Sequence, residues 1–297
     1  MQHLLEAALS RRSALSLPGT DALRLIDGEG DGLPGLELED YAGRWLLSTR
    51  DRQPSPALLD WLKAKKKPVY WKRLDQHQKE SPSWLAGPEQ EQPFSIRESG
   101  LAFEISFQSG YSQGIFLDQR DNRAEVRQRM RPGMTLLNTF AYTGAFSVFA
   151  AAAGATTTTL DLSQPYLDWG KRNFALNGLD PEAHYFCKGD TFHWLQRFNR
   201  QGRKFDAIVL DPPTFSRTKD GTIFRVEEDY VHLAWLALLC LAPGGWLLAS
   251  TNCRQLSPTA FEKQILRSTR APIKIRHAPM PGDFTAPAYL KSLWVQT

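Results

Sequence analysis

A chain of 297 residues is long enough for one large domain and a smaller one, and a net charge of +4 excludes a globally basic nucleic-acid binder, so any surface for phosphates must be local. No apolar run reaches the roughly 18 residues of a membrane span, and the opening MQHLLEAALSRRSALSL lacks the order of a secretory signal. The three cysteines, Cys187, Cys240 and Cys253, form no paired framework and lack metal-ligand spacing, which predicts a cytoplasmic protein with reduced thiols and no metal.

Residues 1–20 read as a short amphipathic lead ending at Pro18-Gly19. From Asp21 to Ser48, short apolar runs are broken by Gly28, Gly30, Gly32 and Pro34-Gly35, which predicts small antiparallel strands joined by tight turns. Asp27, Glu29 and Asp31 would repel phosphates, so this glycine-rich stretch is a structural turn. Ser55 and Pro56 open a short helix that runs to Lys67. The run WLKAKKKPVYWKR interleaves basic residues with Trp61, Tyr70 and Trp71, a pattern suited to holding single-stranded nucleic acid and equally to a solvated helix end beside a core strand. Gln76 to Gln92 reads as a polar surface loop, and the alternation of Leu101, Phe103, Ile105 and Phe107 as a strand with one buried face. Residues 1–110 are thus expected to form a small β-rich N-terminal region with RNA contact, ahead of a catalytic domain over residues 111–297.

In the bridge between them, Arg120, Arg123, Arg127 and Arg131 fall within about 80° on a helical wheel, which predicts a basic stripe for solvent or for phosphate. Beyond Arg131, the segments Leu136–Asn138, Thr156–Asp161, His184–Cys187, Asp206–Leu210 and Trp246–Ser250 read as parallel strands with helices between them. One helix is bounded by Ser163 and Asn177-Gly178, another spans Arg225 to Leu241. Ile273–His277 and Leu290–Gln296 flank a Pro-rich link with no helix, which predicts an antiparallel hairpin at the sheet edge. The fold class is α/β, a doubly wound Rossmann-like sheet closed by an antiparallel edge strand, as in class I methyltransferases.

LLNTFAYTGAF, Leu136 to Phe146, organises this domain. It reads as a strand end, a loop of small residues and a helix start, the unit whose crevice binds ligands. Gly144 would allow close backbone approach, yet the G-x-G-x-x-G of dinucleotide sites is missing. Asp161, at the end of the next strand, suits a ribose diol, so the ligand expected is an adenosine without pyrophosphate, S-adenosylmethionine. Gly189-Asp190 follows the third strand and is expected on the adenine side. In FDAIVLDPPTFSRTK, Asp211-Pro212-Pro213 makes a rigid exit from the fourth strand, followed by the hydroxyl of Thr214 and the ring of Phe215, on which a planar base would stack.

GIFLDQRDNR, NTFAYTGAFSV, TTTLDLSQPYLDWGKRNFALNGL and LDPPTFSRTK together resemble the bacterial methyltransferases of large-subunit ribosomal RNA. One branch of that family methylates cytosine C5; the other is the guanine-N7 domain of the fused RlmKL protein. TTTLDLS, YLDW, RNFALNGL and DPPTFS are closer to the N7 domain, RLIDGEGDGLPGLELEDY and GIFLDQRDNR to the C5 branch. The PUA module usual in the C5 branch has no counterpart expected in these residues. The resemblance implies cofactor contacts from Phe116, Leu117, Gln119 and Arg120, a cofactor loop of Asn138, Phe140, Tyr142, Thr143, Gly144 and Ala145, and a ribose carboxylate in Asp161 with Ser163 beside it. It implies Asp190 at the adenine and Asp211 and Pro212 facing the methyl group, with Phe215 completing the catalytic set. Large-subunit ribosomal RNA is the partner it implies.

The two chemistries make different demands. Cytosine C5 needs a cysteine to add to C6, whereas guanine N7 already carries a lone pair, and positioning suffices. The motif after the fourth strand has no cysteine. In STNCR, Ser250 to Arg254, Cys253 stands one place later than the cysteine of the C5 branch, and Asn252 takes that place. Guanine N7 is therefore favoured, with cytosine C5 through Cys253, or a non-RNA substrate, as the alternatives.

Overall fold

The computed structural model describes residues 1–50, 53–75, 80–90, 92–110, 112–217 and 223–297. These fall into two compact units, the first made of Met1–Arg120 and Pro281–Ala288, the second of Asp121–Met280 and Tyr289–Thr297.

In the first unit, helix α1 (Gln2–Ser13) is followed by β1 (Ala22–Asp27), β2 (Leu36–Tyr41), β3 (Arg44–Thr49), α2 (Pro56–Ala64), β4 (Val69–Arg73) and β5 (Ser83–Ala86). The five strands form one sheet in sequence order. The expected antiparallel pairing holds for β1–β2 and β2–β3; β4 and β5 also pair antiparallel, but β3 and β4 run parallel because α2 crosses over between them. Ser55 caps α2 by accepting from the Leu58 amide at 3.3 Å, with Pro56 at the first position, and Leu58, Trp61 and Leu62 face the core. Strand β5 lies where a polar loop was expected: Trp84 and Leu85 make a short edge strand too brief to show alternation. Residues 76–79 and 91 of that expected loop lie outside the described residues. A hairpin of β6 (Phe94–Glu98) and β7 (Leu101–Ile105) turns at Ser99 (φ 50°) and Gly100 (φ 82°), the two left-handed positions of a tight hairpin turn.

The glycine-rich turn is structural, as its acids predicted. A Cβ on Gly30 would lie 2.3 Å from the carbonyl carbon of Thr285, so only glycine admits this approach. Asp31 accepts from Arg12 at 2.5 and 2.7 Å and from the Asp27 amide at 2.7 Å. Asp283, fully buried, takes Arg120 at 2.5 and 3.1 Å and the Arg24 amide at 2.8 Å. Asp31 and Asp283 each meet a guanidinium, the arrangement that makes burial of charge tolerable.

The second unit carries α3 (Arg120–Arg129), β8 (Thr135–Thr139), α4 (Ala145–Ala151), β9 (Thr156–Asp161), α5 (Gln164–Leu176), β10 (Tyr185–Lys188), α6 (Thr191–Arg200), β11 (Phe205–Leu210), β12 (Phe215–Arg217), β13 (Ile223–Arg225), α7 (Val226–Leu239), β14 (Leu241–Thr251), α8 (Pro258–Arg267), β15 (Lys274–Ala278) and β16 (Lys291–Gln296). Its seven-stranded sheet has the order β10-β9-β8-β11-β14-β16-β15. Strands β8 to β11 and β14 run parallel, and the terminal hairpin joins antiparallel through β16, as the helix-free tail predicted. Strand order reverses between β8 and β11, so the ligand crevice belongs at the carboxyl ends of these strands. Strand β11, FDAIVL, is buried along nearly its whole length, the continuous apolar run of a sheet covered on both faces. The small hairpin β12–β13 was not anticipated, since FSR and IFR are too short to show a period.

The arginine stripe is corrected by the structure. Arg120 and Arg123 are 3% and 2% exposed, and only Arg131 of the four is fully at the surface. Arg120 is drawn inward by Asp283, and the Arg123 guanidinium lies 5.8 Å from the Phe146 ring centre. Helical spacing identified a common face but not that acidic and aromatic partners would bury it.

Candidate active site

The loop after β8 is held in an uncommon backbone state. Phe140 and Tyr142 both adopt φ 51°, and Gly144 φ 73°. Left-handed backbone at a bulky residue costs roughly 1–3 kcal/mol and persists where the surroundings enforce it. Here the Ala141 amide donates to the Leu160 carbonyl (3.0 Å), the Tyr142 amide to Asp161 Oδ2 (2.8 Å) and the Gly144 amide to the Ala141 carbonyl (2.8 Å). The Tyr142 ring stands edge-on against Tyr166 at 4.6 Å between centroids. Beneath the loop, Asn138 donates to Ser147 at 3.1 Å and Thr159 donates to the same hydroxyl at 2.8 Å. Asn138, Thr143 and Ala145 are buried, so they brace the loop from below, while Phe140 and Tyr142 are half-buried.

Asp161 ends β9 beside this loop. Its Oδ1 accepts from the Ser163 amide at 2.9 Å, which leaves Ser163 at the N-cap position of α5 without a side-chain cap of its own. Burial pushes the Asp161 carboxyl above its ordinary value, and the backbone donors at Ser163 and Tyr142 oppose that shift. Such a carboxylate gains from further donors, such as a pair of ribose hydroxyls. Asp190, after β10, caps α6 through Oδ1, which accepts from the His193 amide at 3.0 Å.

On the other side of the reversal, Leu210 leads into half-buried Asp211, buried Pro212, exposed Pro213 and half-buried Thr214. Phe215 is 54% exposed at the start of β12, a ring presented to solvent. Thr218 and Lys219 of this motif lie outside the described residues. Thr214 Oγ1 donates to Asn252 Oδ1 at 2.7 Å, linking the exits of β11 and β14. Fully buried Tyr230 shares its hydroxyl between the carbonyls of Leu210 (3.2 Å) and Ser250 (3.1 Å), clamping the same two strand ends from α7.

Cys253 is 1% exposed. Its thiol donates to Glu227 Oε1 at 3.1 Å, and burial together with that carboxylate raises its pKa. Lys291 Nζ donates to the Cys253 carbonyl at 2.5 Å and to that of Tyr289 at 2.8 Å, fixing the turn after β14. Among the described residues, no group of three or more His, Cys, Asp or Glu side chains is placed to hold a metal ion.

Of the residues expected at the site, those from Asn138 to Ala145, with Asp161, Ser163, Asp190, Asp211 and Pro212, lie at or just beyond the carboxyl ends of second-unit strands, and Phe215 opens β12. Phe116, Leu117, Gln119 and Arg120 belong to the first unit. There Leu117, Gln119 and Arg120 are buried and Phe116 is half exposed. Tyr230, Glu227 and Asn252 were not anticipated in these roles. The signal for Tyr230 is a phenol on an otherwise apolar face with Leu233, Ala234 and Ala237, since a buried hydroxyl requires a partner.

Residues 27–292 match the model of the S-adenosylmethionine-dependent methyltransferase family. The chain belongs to that family. It is 41% identical over 194 residues to ribosomal RNA large subunit methyltransferase K of Neisseria meningitidis serogroup B, a match that covers 64% of this chain and 53% of that one. It is 32% identical over 312 residues to ribosomal RNA large subunit methyltransferase I of Alteromonas mediterranea, covering 97% of this chain and 78% of that one. Among solved structures, SMU.776 in complex with S-adenosylhomocysteine superposes with a TM-score of 0.89 at 29% identity, over 99% of this chain and 80% of that chain. The protein is thus an S-adenosylmethionine-dependent methyltransferase with a Rossmann-like fold. The donor set fits that cofactor: a carboxylate for a diol and strand-end loops for the adenosine, on the crevice side of the sheet.

Proposed function

We propose that the protein methylates N7 of a guanine in large-subunit ribosomal RNA, in the cytoplasm. The single observation that carries the choice of atom is the state of Cys253. Cytosine-C5 chemistry requires a thiolate that reaches the base, and this thiol is buried and turned to Glu227, both of which raise its pKa. The substrate class is supported by the names of the relatives, and the stacking surface by exposed Phe215.

S-adenosylmethionine supplies a methyl group on positively charged sulfur. The chain's own residues hold and orient: Asp161 for the ribose, Asp190 for the adenine, the Phe140–Gly144 loop around the amino-acid portion, and Asp211-Pro212 with Phe215 for the base. The guanine N7 lone pair forms the new N–C bond as the S–C bond breaks, S-adenosylhomocysteine leaves as a neutral thioether, and the positive charge passes to the purine ring. No proton moves, so no general base is needed, and catalysis is positioning.

Lys65 and Lys67 have carboxylate neighbours, Glu6 at 2.6 Å and Asp40 at 3.5 Å, so the basic-aromatic cluster contributes to RNA capture chiefly through exposed Lys66 and Lys63. The test is nucleoside mass spectrometry of ribosomal RNA from cells with and without the protein, repeated with purified enzyme. Gain of 7-methylguanosine is expected; gain of 5-methylcytidine instead overturns the choice of base.

A further inference from the structure

We propose that Asn252 is the residue that selects guanine, by donating from its side-chain amide to O6 of the base; this rests on the guanine-N7 reading above. Guanine presents two acceptors on its Hoogsteen edge, N7 and O6, whereas adenine presents N7 and an amino donor. When N7 is the attacking atom its lone pair is committed to the methyl carbon. Only the group at C6 is left on that edge to distinguish the two purines. A discriminating site therefore needs a donor, beside the place where the base stacks, whose polarity is fixed.

Asn252 meets both conditions. It is an exposed residue directly after β14, the strand that pairs with β11, and it is bonded to the motif that presents Phe215. Thr214 donates its hydroxyl proton to Asn252 Oδ1 at 2.7 Å. In this arrangement the amide oxygen faces the Thr214 hydroxyl and the Nδ2 amino group points to the opposite side. Among the described residues no protein acceptor is recorded for Nδ2, so both of its protons remain for a ligand. An amino donor opposite O6 is satisfied. The same donor opposite the amino group of adenine leaves two donors facing each other, with neither bonded. Thr214 acts through Asn252 and is a positioning residue.

The test uses the full-length enzyme and large-subunit ribosomal RNA assembled by ligation, with guanosine, inosine or 2,6-diaminopurine riboside at the one nucleotide that mapping identifies. Inosine keeps O6 and lacks the 2-amino group; 2,6-diaminopurine keeps N7 and places an amino group at C6. The wild type should methylate guanosine and inosine at similar rates and the diaminopurine about 10- to 100-fold more slowly. Asn252→Asp replaces the donor by an acceptor of the same shape. It should slow guanosine and accelerate the diaminopurine, reversing the preference, a gain that structural damage does not produce. Thr214→Val, which removes the hydroxyl that sets the amide, should narrow the wild-type ratio. Equal slowing of all three substrates in Asn252→Asp, with 7-methylguanosine still the wild-type product, overturns the role of Asn252 alone. A wild type that forms 5-methylcytidine removes both this assignment and the guanine reading beneath it.

Discussion

The thiol of Cys253 and the carboxylate of Glu227 form a hydrogen bond of 3.1 Å in which the sulfur is the donor. An anionic acceptor beside a thiol opposes its ionisation, and burial acts in the same direction. Cys253→Ala is therefore expected to retain methyl transfer within a few-fold and to lose about 1 kcal/mol of stability for the bond removed. RNA carrying 5-fluorocytosine should give no covalent adduct with the wild type. Steady-state rates, chemical denaturation and denaturing gels check the three expectations, and a trapped adduct that vanishes in Cys253→Ala would sink the guanine assignment.

Tyr230 should matter to activity without touching a ligand. Its hydroxyl ties the ends of β11 and β14, the strands that carry Asp211 and Asn252. Tyr230→Phe fills the same volume and leaves two buried carbonyls short of a donor. The expected cost is about 1–3 kcal/mol in stability. A larger fall in kcat than in cofactor affinity should accompany it, because the base-facing side of the crevice loosens. Equal kcat in the folded variant would mean that the clamp is architectural only.

Much of the second unit was legible in the sequence, and the reasons are local. The strand ends of LLNT and FDAIVL and the four threonines before Asp161 carry their positions in their own composition. The antiparallel tail was legible because no helix stands between Ile273 and Gln296 to make a parallel crossover. The fate of the arginine stripe was hidden because Arg120 and Asp283 are far apart in sequence. Shorter separations, of 38 and 26 residues, were enough to hide the Thr214–Asn252 and Cys253–Glu227 bonds. Periodicity reports which residues share a face, not which remote partner covers it. Strand β5 and the β12–β13 hairpin escaped because three or four residues are too few to establish alternation.

Asp161 should control cofactor affinity. Asp161→Asn keeps the shape of the side chain but removes the charge that accepts from the amides of Tyr142 and Ser163 and that we propose receives the ribose hydroxyls. Calorimetry should show S-adenosylmethionine binding weakened by roughly 1–3 kcal/mol. Since burial raises the carboxyl above its ordinary 3.8, affinity should fall on acidification sooner than an unperturbed aspartate would give. A pH-independent affinity down to pH 4 would contradict this placement of the ribose.

Cys240 predicts an alkaline limit to stability. Its thiol donates to the Leu195 carbonyl at 3.4 Å, and burial pushes its pKa from 9.0 up to about 11. In the unfolded chain the thiol ionises near 9.0, while the folded protein keeps the proton to about 11. Folding then requires proton uptake, so the contribution is full below 9.0 and falls as pH rises through that window. Unfolding free energy measured across this range should decline less steeply in Cys240→Ala than in the wild type. Identical slopes would assign the alkaline loss to other groups.

Asp283→Ala should be among the most destabilising single changes. It removes the partner of Arg120 and the acceptor of the Arg24 amide at a position with no solvent access. Removing the carboxylate that faces a buried guanidinium costs about 3–5 kcal/mol. Asp283→Asn, which keeps an acceptor but no charge, should lose less. Thermal unfolding ranks the two; equal and small losses would show that the network relaxes around the gap.

Asp283 and Thr285 also bear on how the protein is made. They complete a unit whose other residues are the first 120, filling the space beside Gly30 and neutralising Arg120. At about 5–20 residues per second, the ribosome finishes the rest of that unit many seconds before it delivers its last eight residues, Pro281–Ala288. The N-terminal part of the nascent chain therefore waits with the Arg120 guanidinium lacking the Asp283 carboxylate until that segment is made. Premature termination anywhere before residue 281 releases not a small intact N-terminal module but one with an open, charged seam.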